Sequence, residues 1–431
     1  MTTTTARRPV RSRPGLLEGL NADRSPVTLA AHRQRYPRPP TPGTTASNQL
    51  IDVVDRAGLQ GRGGAGFPTG RKMRSVAEGK RRPVVVANGT EGEPASGKDR
   101  VLLAYAPHLV VDGALWAAAA VGADRVVICL DRADTTALAG VRFALAERAA
   151  REQTAIDVQV CTTPPRYVAG EETALVHFIN GGPAKPTAAP PRPYQRGVDG
   201  RPTLVQNVET LAHLAQIATW GAEWFRQAGT AEEPGTALFS VSGAVARPGV
   251  IEASIATPTT DLLAMAGGPT APLQAMLVGG LFGTWVPGHA LEVPYSRAGL
   301  TPFGAGPGAG VIIALPAHAC GLAETARIIA WYAAESAGQC GPCVFGLADL
   351  ASGAARLGRG GGPGDVDQLR RWAEQIDGRG GCRHPDGAVR LLRSAITVFA
   401  ADLAGHSRGA ACPGASAPPT VPVPASSTTW R

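Results

Sequence analysis

The chain has 431 residues, 44% of them apolar, and this length is sufficient for two to four globular domains with buried cores. Its longest apolar runs fall well short of the about 18 residues that cross a bilayer, which predicts no direct membrane span. Of the net charge of +8, +6 lies within residues 1–45, so the charge does not form the basic face of a nucleic-acid-binding protein.

Residues 1–45 are rich in Thr, Pro and Arg, and this composition predicts a disordered basic tail. The pair Arg7-Arg8 is not followed by the apolar region of an export signal. The seven cysteines, an odd number spread unevenly along the chain, do not form the pattern of a disulfide framework. Together these features predict a cytoplasmic protein in a reducing compartment, with no nucleic-acid partner.

A glycine-rich stretch, residues 59–72, follows a predicted helix at 48–56. Five glycines within ten positions argue against a helix or an ordinary strand, and such a backbone can press its N–H groups against a phosphate or a flat ring. Arg62 and Lys72 add positive charge. The stretch predicts a site for an anionic, planar ligand, with a flexible surface loop as the alternative. Its spacing also fits G-x-G-x-x-G, but a dinucleotide fingerprint requires a preceding strand.

Predicted strands and helices alternate after this loop. The strands are 83–88, 125–130 and 156–161, and the helices are 104–121 and 135–151. This βαβαβ order predicts an α/β fold, in which helices cover a parallel sheet. Ligands of such sheets bind beyond the carboxyl ends of the strands.

Two acidic segments follow the first and third predicted strands, where such ligands bind. The first segment contains Asn88, Glu91 and Glu93, and the second contains Tyr167, Gly170, Glu171 and Glu172. Carboxylates repel phosphates, so these groups suit ribose hydroxyls, a carboxamide or a water beside a flavin. For Glu171 and Glu172 the alternative is a role at a helix N-terminus.

An amide pair, Gln206 and Asn207, lies within residues 200–211. Amides offer both donors and acceptors to the edge of a heterocyclic ring, which a carboxylate cannot do. Asn207 fits equally well as the N-cap of a helix.

The rest of the sequence predicts two further units. Residues 236–294 begin with a β-hairpin at a Pro-Gly turn and fit a small β-grasp domain, and residues 322–406 are helical with a glycine-rich break at 358–364. The predicted organisation is a tail at 1–45, an α/β domain at 46–235, a β-grasp domain at 236–300, a helical domain at 301–410 and a disordered tail at 411–431.

Several of these segments occur in the order typical of one family. The string Gly-Arg-Gly-Gly-Ala-Gly-Phe-Pro-Thr-Gly at 61–70 resembles the FMN-site loop of the flavin subunit of respiratory complex I and of related NAD-linked hydrogenases and formate dehydrogenases. Residues 88–94, 167–175 and 200–211 resemble further cofactor motifs of that family. The resemblance spans residues 50–407 and implies a Rossmann-like FMN-binding domain, an SLBB-type β-grasp domain and a C-terminal helical bundle.

The resemblance also implies which residues hold the cofactors. The implied FMN and NADH contacts are Gly61, Arg62, Gly63, Gly64, Gly66, Phe67, Lys72, Asn88, Glu91, Tyr167, Gly170, Glu171, Gln206 and Asn207. Glu93 and Glu172 are the implied catalytic residues, which shape the nicotinamide pocket. The chain departs from the family at Ser75, where an aromatic ring is missing, and at Ala189, which replaces a Lys, although Lys185 is nearby.

Residues 335–346 resemble the family's Glu-Ser-Cys-Gly-x-Cys-x-Pro-Cys motif, which binds a 4Fe–4S cluster together with one distant Cys. Cys340, Cys343 and Cys382 match three of the four ligands. The position of the first ligand is Ala337. The metal site is therefore predicted with one thiolate fewer than the usual set.

The fourth ligand has several alternatives. His384 or Cys412 could complete the set, a three-iron cluster could form, or the cluster could be lost. With His384 the same three cysteines would also make a Cys₃His zinc site.

The activity implied by the resemblance is NADH oxidation by hydride transfer to FMN, followed by one-electron transfer through an iron–sulfur cluster to a partner or a quinone-linked chain. The implied partners are NAD(H) and a small iron–sulfur protein or other electron-transfer subunit, through which any association with a membrane would occur. The alternatives are an FMN adaptor that takes electrons from a ferredoxin without binding NADH, and a degenerate structural subunit.

Overall fold

The computed structural model describes residues 15–41, 43–408, 412–426 and 429–431. Its helices α1 to α15 are Leu29–Arg33, Thr45–Ala57, Thr69–Ala77, Lys98–Tyr105, Pro107–Val121, Thr135–Arg151, Glu172–Ile179, Val208–Phe225, Thr259–Met265, Arg297–Leu300, Gly321–Ala334, Leu347–Gly358, Pro363–Ile376, His384–Val398 and Ala400–Ser407. Its strands β1 to β9 are Val84–Gly89, Arg125–Asp131, Asp157–Thr163, Thr203–Asn207, Thr236–Gly243, Gly249–Ser254, Leu273–Val278, Thr284–Pro287 and Val311–Pro316.

The first sheet has the strand order β3-β2-β1-β4, and all its neighbours are parallel. This confirms the predicted α/β class and adds β4, a fourth strand that the sequence analysis did not identify. The valines of β1 are completely buried because helices cover both faces of the sheet. In the register of the sheet Asn88 lies opposite Cys129 on one side and Asn207 on the other, so the carboxyl ends of three strands meet at one edge.

The helix predicted over 104–121 is two helices, α4 and α5. Pro107 begins α5, and a bend of 97° separates the two helices at this point. Among the described residues no single helix has the length and apolar composition to cross a bilayer, although α4 and α5 taken together pass that test.

The second sheet has the order β6-β5-β9-β7-β8 and includes the predicted β5–β6 hairpin. The strand β9 pairs with β5 in parallel and with β7 antiparallel, so it occupies the centre of this sheet. Because β9 spans Val311–Pro316, the second sheet extends past residue 300, the predicted end of the β-grasp domain. Every residue of β9 is buried, as the apolar run of a central strand requires.

The C-terminal part of the chain is a bundle of α11 to α15. The predicted glycine-rich break separates α12, which ends at Gly358, from α13, which begins at Pro363. The core of the bundle contains Ile328, Leu347 and Leu392, and it is continuous with apolar residues of the second sheet.

Both predicted tails are ordered over their described residues. Near the N-terminus Leu16 and Leu29 are buried, and the Arg33 guanidinium donates to Asp112 Oδ2 at 2.6 Å, which fixes α1 against α5. Near the C-terminus Val421 is 1% exposed, and the ring of Trp430 lies 4.0 Å from the guanidinium carbon of Arg166. The prediction of disorder is therefore wrong for 15–41 and for the described part of 411–431, because composition alone does not show these long-range contacts. Residues 1–14 and 42 of the predicted N-terminal tail lie outside the described part of the chain.

Candidate cofactor site

The glycine loop is closed at its base by backbone hydrogen bonds. The N–H of Gly61 donates to the carbonyl of Phe67 at 2.9 Å, and the N–H of Thr69 donates to the carbonyl of Leu59 at 2.9 Å. Gly64 and Gly66 have φ of 105° and 64°, a region that side-chain-bearing residues rarely adopt. The glycines are therefore required by the shape of the loop.

The tip of the loop offers unused donors. The hydrogen bonds of the described residues engage the N–H groups of Gly61 and Arg62, but they do not engage those of residues 63–66. The side chain of Phe67 at the end of this run is 46% exposed, although it is large and apolar. Consecutive free N–H groups form an anion-binding concavity, and the exposed ring adds an apolar surface beside it.

The loop meets the edge of the first sheet. A Cβ atom on Gly63 would lie 3.4 Å from the Cβ of Asn207 at the end of β4. At the end of β1 the Asn88 amide donates to the carbonyl of Gly170 at 2.9 Å and accepts from the Thr90 hydroxyl at 2.8 Å. The loop, two strand ends and the 167–170 turn therefore converge at one place.

Gln206 carries a buried amide at this edge that lacks a partner within the described residues. Its side chain is 5% exposed, and its Nε2 atom is buried with no hydrogen-bond partner among the described residues. An unpaired buried amide costs about 1–3 kcal/mol, so such a group normally has a partner. A bound ligand with an acceptor atom would supply one.

Asn207 is fully engaged within the protein. Its Oδ1 accepts from Lys98 Nζ at 2.9 Å and from the Glu209 N–H at 3.1 Å, and its Nδ2 donates to Asp99 Oδ2 at 2.7 Å. The alternative interpretation as the N-cap of α8 is thus the one observed.

Lys98, Asp99 and Glu209 form a buried ionic cluster behind this edge, and none of the three was predicted as a functional residue from the sequence. Lys98 Nζ lies 2.7 Å from Asp99 Oδ1 and 3.0 Å from Glu209 Oε2, and each residue is at most 3% exposed. Burial alone would raise the pKa of Glu209, but the positive charge of Lys98, with help from His213, lowers it to about 2. The available signal was a Lys-Asp pair in the first turn of α4, a helix whose last five residues include Val101, Leu102 and Leu103.

Glu91 and Glu93 are engaged by backbone donors. Glu91 accepts from the N–H groups of Asp99 and Arg100, both at 2.9 Å, at the start of α4. Glu93 accepts from the N–H of Leu281 at 3.0 Å and so links the α/β domain to the second sheet. Burial raises the pKa of each carboxyl to about 7, although these N–H groups oppose the shift. Both side chains have roles in the fold that the sequence analysis did not predict.

The two neighbouring acids at the start of α7 differ in their partners. Glu171 is the N-cap, and its carboxylate accepts from the N–H groups of Thr173 at 2.9 Å and Ala174 at 3.0 Å. Glu172 is partly exposed, and its Oε2 lies 3.1 Å from Lys72 Nζ on the helix that follows the glycine loop. Glu172 is therefore the acid that faces the loop.

The guanidinium of Arg62 does not add charge to the tip of the loop. It donates to the carbonyls of Pro234 at 3.4 Å and Thr236 at 3.0 Å, at the border with the second sheet. Its backbone N–H donates to the Thr210 hydroxyl at 2.8 Å. The predicted role of this side chain at an anionic ligand is replaced by a structural one.

Tyr167 connects the sheet edge to the helical bundle. Its ring centroid lies 5.2 Å from Trp331 and 5.6 Å from His384, and its N–H donates to Glu335 at 2.9 Å. Burial raises the pKa of the Tyr167 hydroxyl well above its usual value. The ring is therefore part of an interdomain aromatic cluster.

The structure brings the three predicted cysteine ligands together. Cys343 lies in the helical turn 342–346, Cys382 precedes α14, and the N–H of Gly381 donates to Cys340 Sγ at 3.5 Å. Burial, together with smaller contributions from the charges of Cys340 and Cys382, raises the pKa of Cys343 to about 12. Such clustered thiols need a metal to hold them as thiolates.

The spacing of these thiols can be compared with the spacing in a single-zinc site. A single tetrahedral zinc ion with bonds of about 2.3 Å would hold its sulfurs roughly 4 Å apart. Within the described residues the sulfurs of Cys340, Cys343 and Cys382 are not a group whose ligand atoms all lie within 4.8 Å. The three sulfurs are therefore not at the spacing of a single zinc site in this structure.

The two candidate fourth ligands, His384 and Cys412, differ in their position relative to the three cysteines. His384 Nε2 lies 2.9 Å from the carbonyl of Tyr332, while its Nδ1 is buried without a hydrogen-bond partner among the described residues. Burial lowers the pKa of His384 to about 4, so the ring is neutral. Cys412 lies elsewhere, beside Cys320 and His406, and cannot complete this site.

Family comparisons agree with this architecture. Residues 54–216 match the Nuo51 FMN-binding domain, residues 238–280 match the SLBB domain, and residues 323–406 match the NADH-ubiquinone oxidoreductase-F iron-sulfur binding region. The class that the fold and the site define is thus an FMN- and iron–sulfur-binding oxidoreductase of the NADH dehydrogenase type.

Individual relatives extend over most of the chain. The F 2 subunit of NADH-quinone oxidoreductase from Rhizobium meliloti (strain 1021) is 32% identical over 385 residues, 86% of this chain and 91% of that protein. The F subunit of NADH-quinone oxidoreductase from Escherichia coli (strain K12) is 33% identical over 408 residues, 88% of this chain and 90% of that protein.

Among solved structures, the NAD+-reducing NiFe-hydrogenase in the H2-reduced state matches with a TM-score of 0.77 and 31% identity. The match covers 84% of this chain, and this chain spans 63% of the hydrogenase chain. The chain belongs to the family of NADH-oxidising flavin subunits of respiratory complex I. Its relatives are subunits of larger electron-transfer assemblies, and transfer of electrons from NADH through an iron–sulfur cluster is the activity of the family.

Proposed function

We propose that the free N–H groups of residues 63–66 and the Nε2 of Gln206 hold FMN, and that NADH binds beside it. The observation that carries this assignment is the buried, unpaired amide of Gln206. This residue directly precedes Asn207, whose Cβ would lie 3.4 Å from a Cβ on Gly63 in the loop with the unused backbone donors. When bound, FMN supplies the ability to accept a hydride from a nicotinamide and to release the electrons singly. The chain contributes binding, orientation and electrostatics.

The residues that remain available to a ligand define the roles we propose. Phe67 covers one face of the ring system, because it is exposed at the end of the loop. Glu172 and Lys72 form an ion pair at the mouth of the site, where the carboxylate can accept from a ribose hydroxyl or a carboxamide. Glu93 positions the loop 280–282 and does not contact substrate in this proposal.

Three thiolates hold the iron–sulfur cluster in this proposal: Cys340, Cys343 and Cys382. The match of residues 323–406 to the family's iron-sulfur binding region supports a multi-iron centre, and Ala337 leaves one iron without a cysteine ligand. The unpaired Nδ1 of His384 is the nearest protein alternative in the sequence, two residues after Cys382.

An electron-transfer partner has a surface available beside the cluster. Phe345 and Val344 are 70% and 45% exposed, and both follow Cys343 directly. Exposed apolar side chains next to a redox centre support docking of a small iron–sulfur protein or another electron-transfer subunit. We place this assembly in the cytoplasm.

A second candidate function is an FMN adaptor that is reduced by a ferredoxin. It is favoured by Lys185, the lysine nearest in sequence to the altered position Ala189, because its Nζ donates to the carbonyl of Ala337 at 2.7 Å. A lysine held in this way is not available to NADH.

Anaerobic absorbance titration of the purified full-length protein tests both candidates. We expect bound flavin that bleaches with NADH, and we expect Glu172→Gln to lower kcat/KM for NADH at least about tenfold while FMN stays bound. Glu223→Gln, which removes an exposed acid elsewhere, is the matched control and should have no effect. Flavin that is reduced by a ferredoxin but not by NADH would select the adaptor, and a protein without flavin would refute both.

A further inference from the structure

A second cluster of metal-ligating side chains lies apart from the iron–sulfur site. The Sγ of Cys320, the Nε2 of His406 and the Sγ of Cys412 all lie within 4.8 Å of one another, and the Cys320 and His406 atoms are 3.8 Å apart. Within the described residues this is the one group of three or more such ligands at this spacing. We propose that it binds one zinc ion, with two thiolates and one imidazole as protein ligands.

The distances suit a single ion. With metal–ligand bonds of about 2.0–2.3 Å, tetrahedral coordination separates neighbouring ligand atoms by roughly 3.5–4 Å. The 3.8 Å between Cys320 Sγ and His406 Nε2 lies in that range. Two thiolates and one imidazole form a donor set that selects zinc over the hard cations magnesium and calcium.

The histidine already has the orientation of a ligand. His406 Nδ1 lies 2.9 Å from the carbonyl of Leu357, so Nδ1 carries the proton and Nε2 presents its lone pair to the two sulfurs. A hydrogen bond from the other ring nitrogen to a carbonyl is the usual outer-shell arrangement of zinc-bound histidines. His406 is 4% exposed, so this orientation is fixed by packing.

The two cysteines are brought together by separate elements. Cys320 is the N-cap of α11, and its Sγ accepts from the Ala323 N–H at 3.4 Å, where the positive end of the helix favours a thiolate. Cys412 belongs to the C-terminal segment, which passes so close that a Cβ on Gly414 would lie 2.8 Å from the Cys320 nitrogen. Gly414 is therefore required for the approach of this segment.

The rest of the C-terminal segment is anchored to the same helix. Glu324 of α11 accepts from the Thr420 N–H at 2.6 Å, and Arg327 donates to the Val421 carbonyl at 2.9 Å. The proposed ion would link α11, α15 and this segment at one point. Cys320 is 2% exposed, whereas Cys412 is only partly buried, so a solvent molecule can occupy the fourth position.

The site is separate from the predicted cluster. Cys320 precedes α11 and Cys340 follows it, and a helix of 14 residues is about 21 Å long. Cys320 and Cys412 also lie outside the matched iron–sulfur region 323–406. The two metal centres can therefore be removed independently.

The test is to measure zinc and iron on the same anaerobically purified full-length protein. We expect about one zinc per chain, and Cys412→Ser should reduce it to less than about 0.2 while iron is unchanged. Cys340→Ser should lower the iron content and leave the zinc content unchanged. Cys161→Ser, which alters a partly buried cysteine in β3, is the matched control and should change neither metal.

Cobalt substitution provides a second measurement that does not depend on how zinc was acquired. Cobalt bound here should show thiolate-to-cobalt charge transfer that is lost in Cys412→Ser, while the far-ultraviolet circular dichroism of that variant stays unchanged. Zinc-free protein that gives no such band would overturn the proposal. So would a Cys320–Cys412 disulfide, recognised by the loss of two hydrogens in the intact mass and by thiols that react only after reduction.

Discussion

The ammonium of Lys185 donates to the carbonyl of Ala337 at 2.7 Å, so a loop of the α/β domain is bonded to the position where the family has its first cluster cysteine. Ala337 is 5% exposed. The bond uses only the backbone of Ala337, and a small side chain at this position can therefore be exchanged without breaking it.

Ala337→Cys should restore the four-thiolate set. We expect the iron content of the variant to rise toward about four per chain and to survive exposure to air better than that of the wild type, because every iron then has a thiolate ligand. Iron analysis with electron paramagnetic resonance checks this result. Ala337→Ser, which adds a similar volume without a thiol, should behave like the wild type, and equal iron in both variants would contradict the assignment of this position.

Gly64→Ala should weaken FMN binding by about tenfold to a hundredfold. The φ of 105° at Gly64 lies outside the range of ordinary residues, and holding alanine there costs about 1–3 kcal/mol. Flavin fluorescence titration of the apoprotein measures the change. Gly61→Ala is the control, since φ at Gly61 is not positive and its Cβ would meet no atom closer than 3.4 Å. An equal loss of FMN affinity in the two variants would show that the positive φ angle at Gly64 is not the cause of the weaker binding.

Lys98→Met should lower the free energy of unfolding by about 3–5 kcal/mol. The substitution keeps the volume but leaves Asp99 and Glu209 as buried carboxylates without their common cation. Urea unfolding followed by circular dichroism measures the loss. Arg100→Ala, which breaks an ion pair whose arginine is 59% exposed, should cost less than about 1 kcal/mol. A loss for Lys98→Met no greater than that control would be inconsistent with a buried cluster.

The raised pKa values of Glu91 and Glu93 make a contribution to stability that falls as the pH rises. Each carboxyl has a pKa of about 7 in the folded protein against an ordinary value of 4.5, so the folded state binds more protons between these values. The stabilisation is complete below about pH 4.5 and is lost as the pH rises through about 7. Glu93→Gln should remove one of these two contributions, so that between pH 5 and 7 the free energy of unfolding decreases less with rising pH, or increases more, than in the wild type. Buried histidines such as His384, whose pKa is lowered to about 4, contribute a slope of opposite sign in both proteins.

Urea midpoints at a series of pH values measure this slope. Glu78→Gln alters an exposed carboxylate and should leave the slope unchanged. A Glu93→Gln variant with the wild-type slope would show that Glu93 does not titrate in this range.

The sequence was informative where a local pattern determines the structure. The alternation of apolar strands with helices predicted three strands of the parallel sheet and α6 with its observed bounds, Thr135–Arg151. The glycine loop was recognised because positive φ angles leave few alternatives to glycine, as at Gly64 and Gly66.

The sequence was less informative about the partners of polar side chains. Glu91, Glu93 and Asn207 resemble ligand-binding residues, yet each is bonded to backbone or side-chain groups that become neighbours only in the fold. Lys98 was missed because a surface lysine and a buried one look the same in a sequence. The ordered C-terminal segment was missed for a related reason, since its contacts join residues far apart along the chain.

The central position of β9 has a consequence for folding during synthesis. The strands β5 and β6 form a local hairpin, whereas β7 and β8 join them only through β9, which is made last. As the chain leaves the ribosome, the two halves of this sheet therefore expose unpaired edges until Val311–Pro316 emerges. Slow or interrupted translation near β9 would prolong the exposure of these edges. A chaperone would therefore be most useful to the nascent chain before β9 emerges.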